Sequence, residues 1–113
     1  MSWRLTVRVG PKVEKARYDS LADALEEARA RAAAVLAEGR LGTVSAFRDY
    51  TPDQRVHARI EVSRKGLLGG PEAGIDVMGD GALVPYAGAI RKRRLEASSL
   101  DEAIAAIGDE LGP

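Results

Sequence analysis

The sequence predicts an α+β domain: a mainly antiparallel β-sheet built from hairpins, with two amphipathic helices packed on one of its faces. Three observations predict it. Several short stretches alternate apolar and polar residues, the period-two pattern of strands with one face buried. Turn chemistry separates neighbouring stretches closely enough for hairpins. The two helical patterns fall at 19–38 and 98–111, each after a hairpin. The helices come early and last, with the strands between hairpin turns, which argues for a mainly antiparallel sheet with both helices on one face.

The first strand is residues 3–9. Trp3, Leu5, Val7 and Val9 point one way, and Arg4, Thr6 and Arg8 the other. Gly10-Pro11-Lys12 turns the chain. Val13 to Tyr18 returns as a thinly apolar strand, as suits a sheet edge. Val13 and Tyr18 are its expected core residues.

The first helix opens at Ser20, whose hydroxyl is placed to accept a backbone N–H freed at the helix start, with Asp23 in the first turn. Its apolar stripe is Leu21, Leu25, Ala28, Ala32, Val35 and Leu36, close to a 3.6-residue period. It is expected to run to about Glu38, with Gly39 as its stop. Glu27 and Arg31 stand at i,i+4 and are expected to pair on its surface.

Thr43 to Tyr50 is β-rich, and Thr51-Pro52-Asp53-Gln54 reads as a turn. The clearest strand follows. Val56, Ala58, Ile60 and Val62 are expected to face in, and Arg55, His57, Arg59, Glu61 and Ser63 to face out. Residues 65–74 read as a loop carrying Leu67 and Leu68. Ile75 and Val77 mark a short strand with Asp76 on its solvent side. Gly79-Asp80-Gly81 is a hairpin signal. Leu83-Val84 begins the return, and Pro85 suggests an edge or a bend. Ala87-Gly88 turns again, and Ala89 to Glu96 is expected as the last strand.

The second helix opens at Ser99, with Glu102 expected to reach back to the N–H of Ser99 itself. Its stripe is Leu100, Ala103, Ile104, Ile107 and Leu111. Both helices begin Ser-Leu and follow a hairpin. Residues 3–38 and 82–111 therefore read as a ββα-like pseudo-repeat inside a single domain, 1–113.

Composition narrows the function. A chain of 113 residues can bury a core without covalent staples, and it holds no cysteine, hence no disulfide or thiol chemistry. No run approaches the ~18 apolar residues of a membrane span, so no membrane partner is expected. The N-terminal residues lack the apolar run of a signal peptide, and a cytoplasmic location is expected. No cluster has metal-ligand spacing. The glycine-rich run at 66–71 lacks the Lys-Ser/Thr of a phosphate loop, and Pro71 blocks the helix such a loop needs. His57 is the only histidine, with no serine or cysteine partner identified. No catalytic residue, metal or cofactor is expected, and a small-molecule ligand is left open.

Charge is the informative property. The total is zero, yet the two helical stretches hold nine acids against two bases, a local charge of −7. The remainder holds eight acids against fifteen bases, +7. The field at a surface follows this distribution and not the sum. The outward sheet face therefore becomes a candidate anion- or nucleic-acid-binding surface, with Arg4, Arg8, Arg55, His57, Arg59, Lys92 and Arg94. In the run 91–94, alternation sends only one pair of cations to each side. Few aromatics accompany these cations, which argues against stacking on single strands.

A second surface is apolar. Ala30, Ala33, Ala34 and Ala37 lie away from the main stripe of the first helix, where another helix or a second subunit fits. Leu67 and Leu68 could also dock on a partner. The leading expectation is a small non-catalytic interaction module, binding protein or a second copy of itself. The alternative is a nucleic-acid binder using the basic sheet face. Hairpin-then-helix layouts with a basic sheet resemble small ββα DNA-binding arms. No motif residues carry across, and no family is assigned.

Overall fold

A computed structural model describes residues 2–38, 56–64, 70–88 and 91–112. The expected strand at 43–50, the turn at 51–54, the Gly39 stop, Arg55, Leu67, Leu68, Ala89 and Ile90 lie outside these. Among the described residues the chain forms β1 (Trp3–Val9), β2 (Lys12–Tyr18), α1 (Leu21–Ala37), β3 (Val56–Arg64), β4 (Glu72–Met78), β5 (Leu83–Ala87), β6 (Arg93–Arg94) and α2 (Leu100–Leu111).

The six strands make one antiparallel sheet in the order β2-β1-β3-β4-β5-β6, and the fold is α+β as the patterning implies. The β1–β2 hairpin forms one end of the sheet and β5–β6 the other. Each is followed by its helix. The helices share one face: α1 lies over β1 and β3, α2 over β4 and β5, and they touch each other.

Alternation explains the core. Leu5, Ile60, Val62, Ile75 and Val77 point from the sheet to the helices and are fully buried, as is Ile107 of α2. Burial of each such side chain contributes about 1.5–3 kcal/mol. On α1 the buried positions are Ala24, Ala28, Ala32 and Val35, so small side chains let this helix sit close to the strands. Leu21, Leu25 and Leu36 pack at the margin of the same core.

The helix starts follow their capping chemistry, with one shift. Ser20 Oγ accepts from Asp23 N, and Ser99 Oγ accepts from Glu102 N, both at 3.1 Å. Glu102 does not reach Ser99 N. Its Oε1 accepts instead from Ser98, from N at 3.1 Å and from Oγ at 2.8 Å. Ser98 offers two donors to one carboxylate, and these bonds pull the Glu102 pKa down.

Other expectations change for identifiable reasons. Arg31 does not pair with Glu27; it crosses to Glu14 of β2 and ties α1 to the sheet edge. Val13 is 44% exposed. It stands opposite Arg8 in register, which places it on the face away from the helices. Val56 is 42% exposed. It pairs with Met78 while Ala58 pairs with Val77, a β-bulge that turns the alternation over at this end of β3.

The β4 strand begins at Glu72, earlier than the glycines suggest, because Gly74 is accommodated inside the ladder opposite Glu61 and Tyr86. Pro85 is not in an edge strand; it is fully buried in β5. Its carbonyl accepts from Leu95 N at 2.8 Å on the β6 side, so the N–H that proline lacks belongs to that side too. Ladder pairing there is short: β6 is two residues, not the run to Glu96. The Gly79–Gly81 hairpin forms as its sequence implies, with Asp80 Oδ1 accepting from Ala82 N at 2.9 Å.

Candidate functional site

The second face of the sheet carries no helix. Register places its side chains in rows across the strands. One row is Lys15, Thr6, Glu61, Gly74, Tyr86 and Arg94, and the next is Val13, Arg8, Arg59, Asp76 and Val84. A third runs through Arg17, Arg4, Ser63 and Glu72. These rows gather most of the cations read from the sequence.

Arg4 and Arg8 come from β1, Arg59 from β3 and Arg94 from β6. Lys92 Nζ lies 5.5 Å from the centre of the Tyr86 ring, so it too is on this face. Arg93 goes to the other side and pairs with Glu110 of α2, the split that alternation requires. Ala30, Ala33, Ala34 and Ala37 are all exposed on α1 and do not share this surface.

Two further cations belong here. Lys15 and Arg17 of β2 face the same way as Arg4 and Arg8. The signal was present in the sequence, since a tight turn at Gly10-Pro11 fixes which β2 residues stand opposite which β1 residues. The result is a basic flank. Arg4 stands directly opposite Arg17, and Arg8 directly opposite Arg59. Like charges at such positions destabilise a sheet. Arg4, Arg8, Lys15 and Arg17 have no ion-pair partner among the described residues.

The centre of the face is different. Arg59 Nε donates to Asp76 Oδ1 at 2.6 Å, and a terminal nitrogen to Oδ2 at 3.0 Å. This bidentate pair pushes the guanidinium pKa up, the Asp76 hydrogen bond being the largest cause. Arg59 also lies 5.3 Å from the centre of the Tyr86 ring, on which Lys92 stacks as well. The Tyr86 hydroxyl donates to Glu61 Oε2 at 2.5 Å. Burial first, then this bond and the Glu61 charge, push the phenol pKa up. Glu72 lines the same groove as Glu61. Its pKa is raised, by burial above all and then by Glu61, against the opposing charges of Lys92 and Arg59.

Between flank and centre runs an open groove of about 470 Å³, lined by Thr6, Arg8, Val56, His57, Arg59, Glu61, Glu72 and Lys92 among others. His57 is half-buried. Its Nε2 is inaccessible and has no hydrogen-bond partner among the described residues. The groove offers guanidinium groups at one side and a carboxyl pair at the other. Among the described residues, no three His, Asp or Glu side chains are grouped to hold a metal ion. No helix among them is long and apolar enough to cross a membrane.

Tyr86, Glu72 and Gly74 were hidden from sequence reading. Glu72 and Gly74 lie in a glycine- and proline-rich stretch that resembles a loop, and nothing local in Tyr86 reveals a partner 25 residues away. The chain matches no protein-family model, no curated protein and no solved structure.

Proposed function

We propose that this protein is a non-catalytic binding module, and that the basic flank of its open sheet face holds the phosphate backbone of a nucleic acid. One observation carries the reading: β1 sets Arg4 against Arg17 and Arg8 against Arg59, with Lys15 between, and four of these five cations have no ion-pair partner among the described residues. A sheet that holds like charges together without compensation has unmet demand for an anion. Arginine suits phosphate because its planar donors pair with two oxygens at once. The aromatic residues support backbone contact over base stacking. Trp3 is buried toward the helices, and Tyr86 is already covered by Arg59 and Lys92.

The test is fluorescence anisotropy of a labelled mixed-sequence duplex across a salt series. Four engaged phosphates give a log K against log salt slope of about −3.6. Replacing Arg4, Arg8 and Arg17 together with Ala is expected to abolish most affinity and flatten the slope by about 0.9 for each phosphate no longer neutralised. Full affinity in that variant overturns the assignment.

A second reading follows from α1. Ala30, Ala33, Ala34 and Ala37 are all exposed on α1 and make a smooth surface on which a protein partner or a second copy can pack. Its measurement is mass by light scattering over a concentration series. A mass that grows with concentration, and returns to the monomer in Ala33→Glu, supports it; a constant monomer mass removes self-association.

A further inference from the structure

Strand β2 is one edge of the sheet, and the alternation of ladder hydrogen bonds fixes which of its backbone groups are free. Arg64 of β3 gives its N–H to the Pro71 carbonyl, at 3.1 Å, on the β4 side. Successive residues of an antiparallel ladder bond to opposite neighbours. Ser63, Glu61 and Arg59 therefore bond to β1, where they stand opposite Arg4, Thr6 and Arg8. Trp3, Leu5, Val7 and Val9 are left to bond to β2, opposite Tyr18, Ala16, Glu14 and Lys12. Val13, Lys15 and Arg17 consequently turn their N–H and C=O groups away from the sheet. No strand among the described residues pairs with them there.

The opposite edge is short: β6 has two residues, and its Arg93 is tied to Glu110 of α2. β2 runs for seven residues, enough to template another strand. Edges are protected against pairing with a copy by charged side chains, lysine above all. β2 carries this device. An antiparallel second copy in full register would set Lys15 against the copy's Lys15, a destabilising like-charge pair. The same charges favour a strand of opposite sign.

We propose that the free edge of β2 takes an extended acidic segment of a partner protein as an added antiparallel strand. Side chains opposite Lys15 and Arg17 would lie on the open face, with Arg4 and Arg8 close by on β1. None of these four cations has an ion-pair partner among the described residues, so acids are favoured at those positions. The intervening side chains would lie on the helix side. There Glu14 is already engaged by Lys12 and Arg31. Ala16 is small and exposed, and it borders a hollow of about 420 Å³ whose lining includes the buried Leu5 and Val7 and Arg31 of α1. An aliphatic side chain opposite Ala16 can bury itself in that hollow. The partner chemistry is therefore an alternation of acidic and aliphatic residues, with backbone bonds supplying affinity and the alternating side chains specificity. Phosphate on the flank needs the cationic side chains alone, whereas the added strand also needs the outward N–H and C=O groups of β2.

The experiment measures anisotropy of a labelled, end-capped peptide, Glu-Val-Glu-Val-Glu-Val-Glu, titrated with the full chain. A peptide of the same composition with its valines grouped at one end is expected to bind at least about tenfold more weakly. Backbone N-methylation of the glutamates, whose N–H groups would face β2, is expected to cost at least about tenfold as well. N-methylation of the valines, whose N–H groups would face away, is expected to cost less than about threefold. On the protein side, Val13→Pro removes one outward N–H, no ladder bond to β1 and no charge, and proline is tolerated at such an edge position. It is expected to weaken the alternating peptide at least about tenfold. The peptide arms use the unaltered chain, so they decide the matter even if this variant folds poorly. No binding of the alternating peptide overturns the proposal. Equal binding of the grouped peptide, or of the glutamate-methylated one, reduces the effect to charge attraction and also overturns it. A chain that is dimeric by light scattering without peptide, and monomeric as Val13→Pro, gives the edge to a second copy and overturns the acidic partner.

Discussion

The Tyr86 hydroxyl reaches Glu61 across the width of strand β4, and it does so over Gly74. The two residues stand on β5 and β3, with Gly74 in register between them, and the bond is 2.5 Å long. A Cβ at position 74 would lie 2.7 Å from the Tyr86 oxygen and 2.5 Å from the carbonyl oxygen of Ile60. The second neighbour is backbone of a central strand and cannot give way cheaply. Gly74→Ala is therefore expected to destabilise by about 1–3 kcal/mol, the ordinary cost of overpacking. Urea denaturation measures it. The same variant is expected to release Tyr86 from Glu61, seen as a change in the tyrosine fluorescence or ring resonances.

Tyr86→Phe tests the bond without the clash. Loss of the donor to the Glu61 carboxylate is expected to cost about 1.5–3 kcal/mol at neutral pH. The pH dependence is more diagnostic. Burial and Glu61 raise the phenol pKa in the folded state, so the native protein keeps a proton that the unfolded chain releases above about pH 10. The stability tied to that shift is fully present below this pH and is lost as pH rises toward the folded value. Wild type is expected to lose stability steeply in alkali, and Tyr86→Phe less steeply. Part of the fall remains in the variant, because burial also raises the Tyr18 pKa.

Much of this architecture is legible in the sequence, and the reason is periodicity. β1 alternates without a break, α2 keeps its stripe, and the Ser20 and Ser99 caps follow from local chemistry. What is not legible depends on pairing between distant segments. Val56 alternates with Ala58 as an inward residue should, and only the bulge against Met78 and Val77 turns it out. Glu72 lies in a stretch whose glycines and proline imply a loop, and the neighbouring strands draw it into the sheet. The candidate site divides in the same way. Arg4, Arg8 and Arg59 follow from alternation alone. The carboxyl pair and the reach of Tyr86 follow from the strand order, which no local pattern encodes.

Asp76 holds the half-buried Arg59 through two bonds, and its own side chain is 13% exposed. Asp76→Ala leaves that guanidinium without its acceptor in the middle of a sheet. The expected cost is about 1.5–3 kcal/mol, the range for hydrogen bonds to charged groups. A double-mutant cycle with Arg59→Ala separates the pair from the packing of each side chain. A coupling above about 1 kcal/mol is expected, and additive single effects would show that the two bonds contribute little.

The helix caps make a cleaner comparison. Ser20→Ala and Ser99→Ala each remove one acceptor from a first-turn N–H at 3.1 Å, and each is expected to cost about 1 kcal/mol. Ser98→Ala removes the hydroxyl bond to Glu102 and leaves the backbone bond in place. Its effect is expected to be smaller, with the Glu102 pKa moving up toward its ordinary value. Thermal unfolding gives the stabilities and a carboxyl titration gives the shift.

Arg17 offers the sharpest test of whether the basic flank serves binding. It stands directly opposite Arg4 at the sheet edge, where a carboxylate would make a favourable cross-strand pair. Arg17→Glu replaces repulsion with attraction and is expected to stabilise the fold by a few tenths of a kcal/mol, up to about 1. If Arg17 engages phosphate, the same change removes one cation and neutralises a second. Duplex affinity is then expected to fall, with the salt slope reduced by the equivalent of about two phosphates, roughly 1.8. The two readouts move in opposite directions only if the like-charge pair is kept for a ligand. A variant that is more stable and binds as tightly as wild type would mean that the arginines of β1 and β2 serve neither the fold nor this partner.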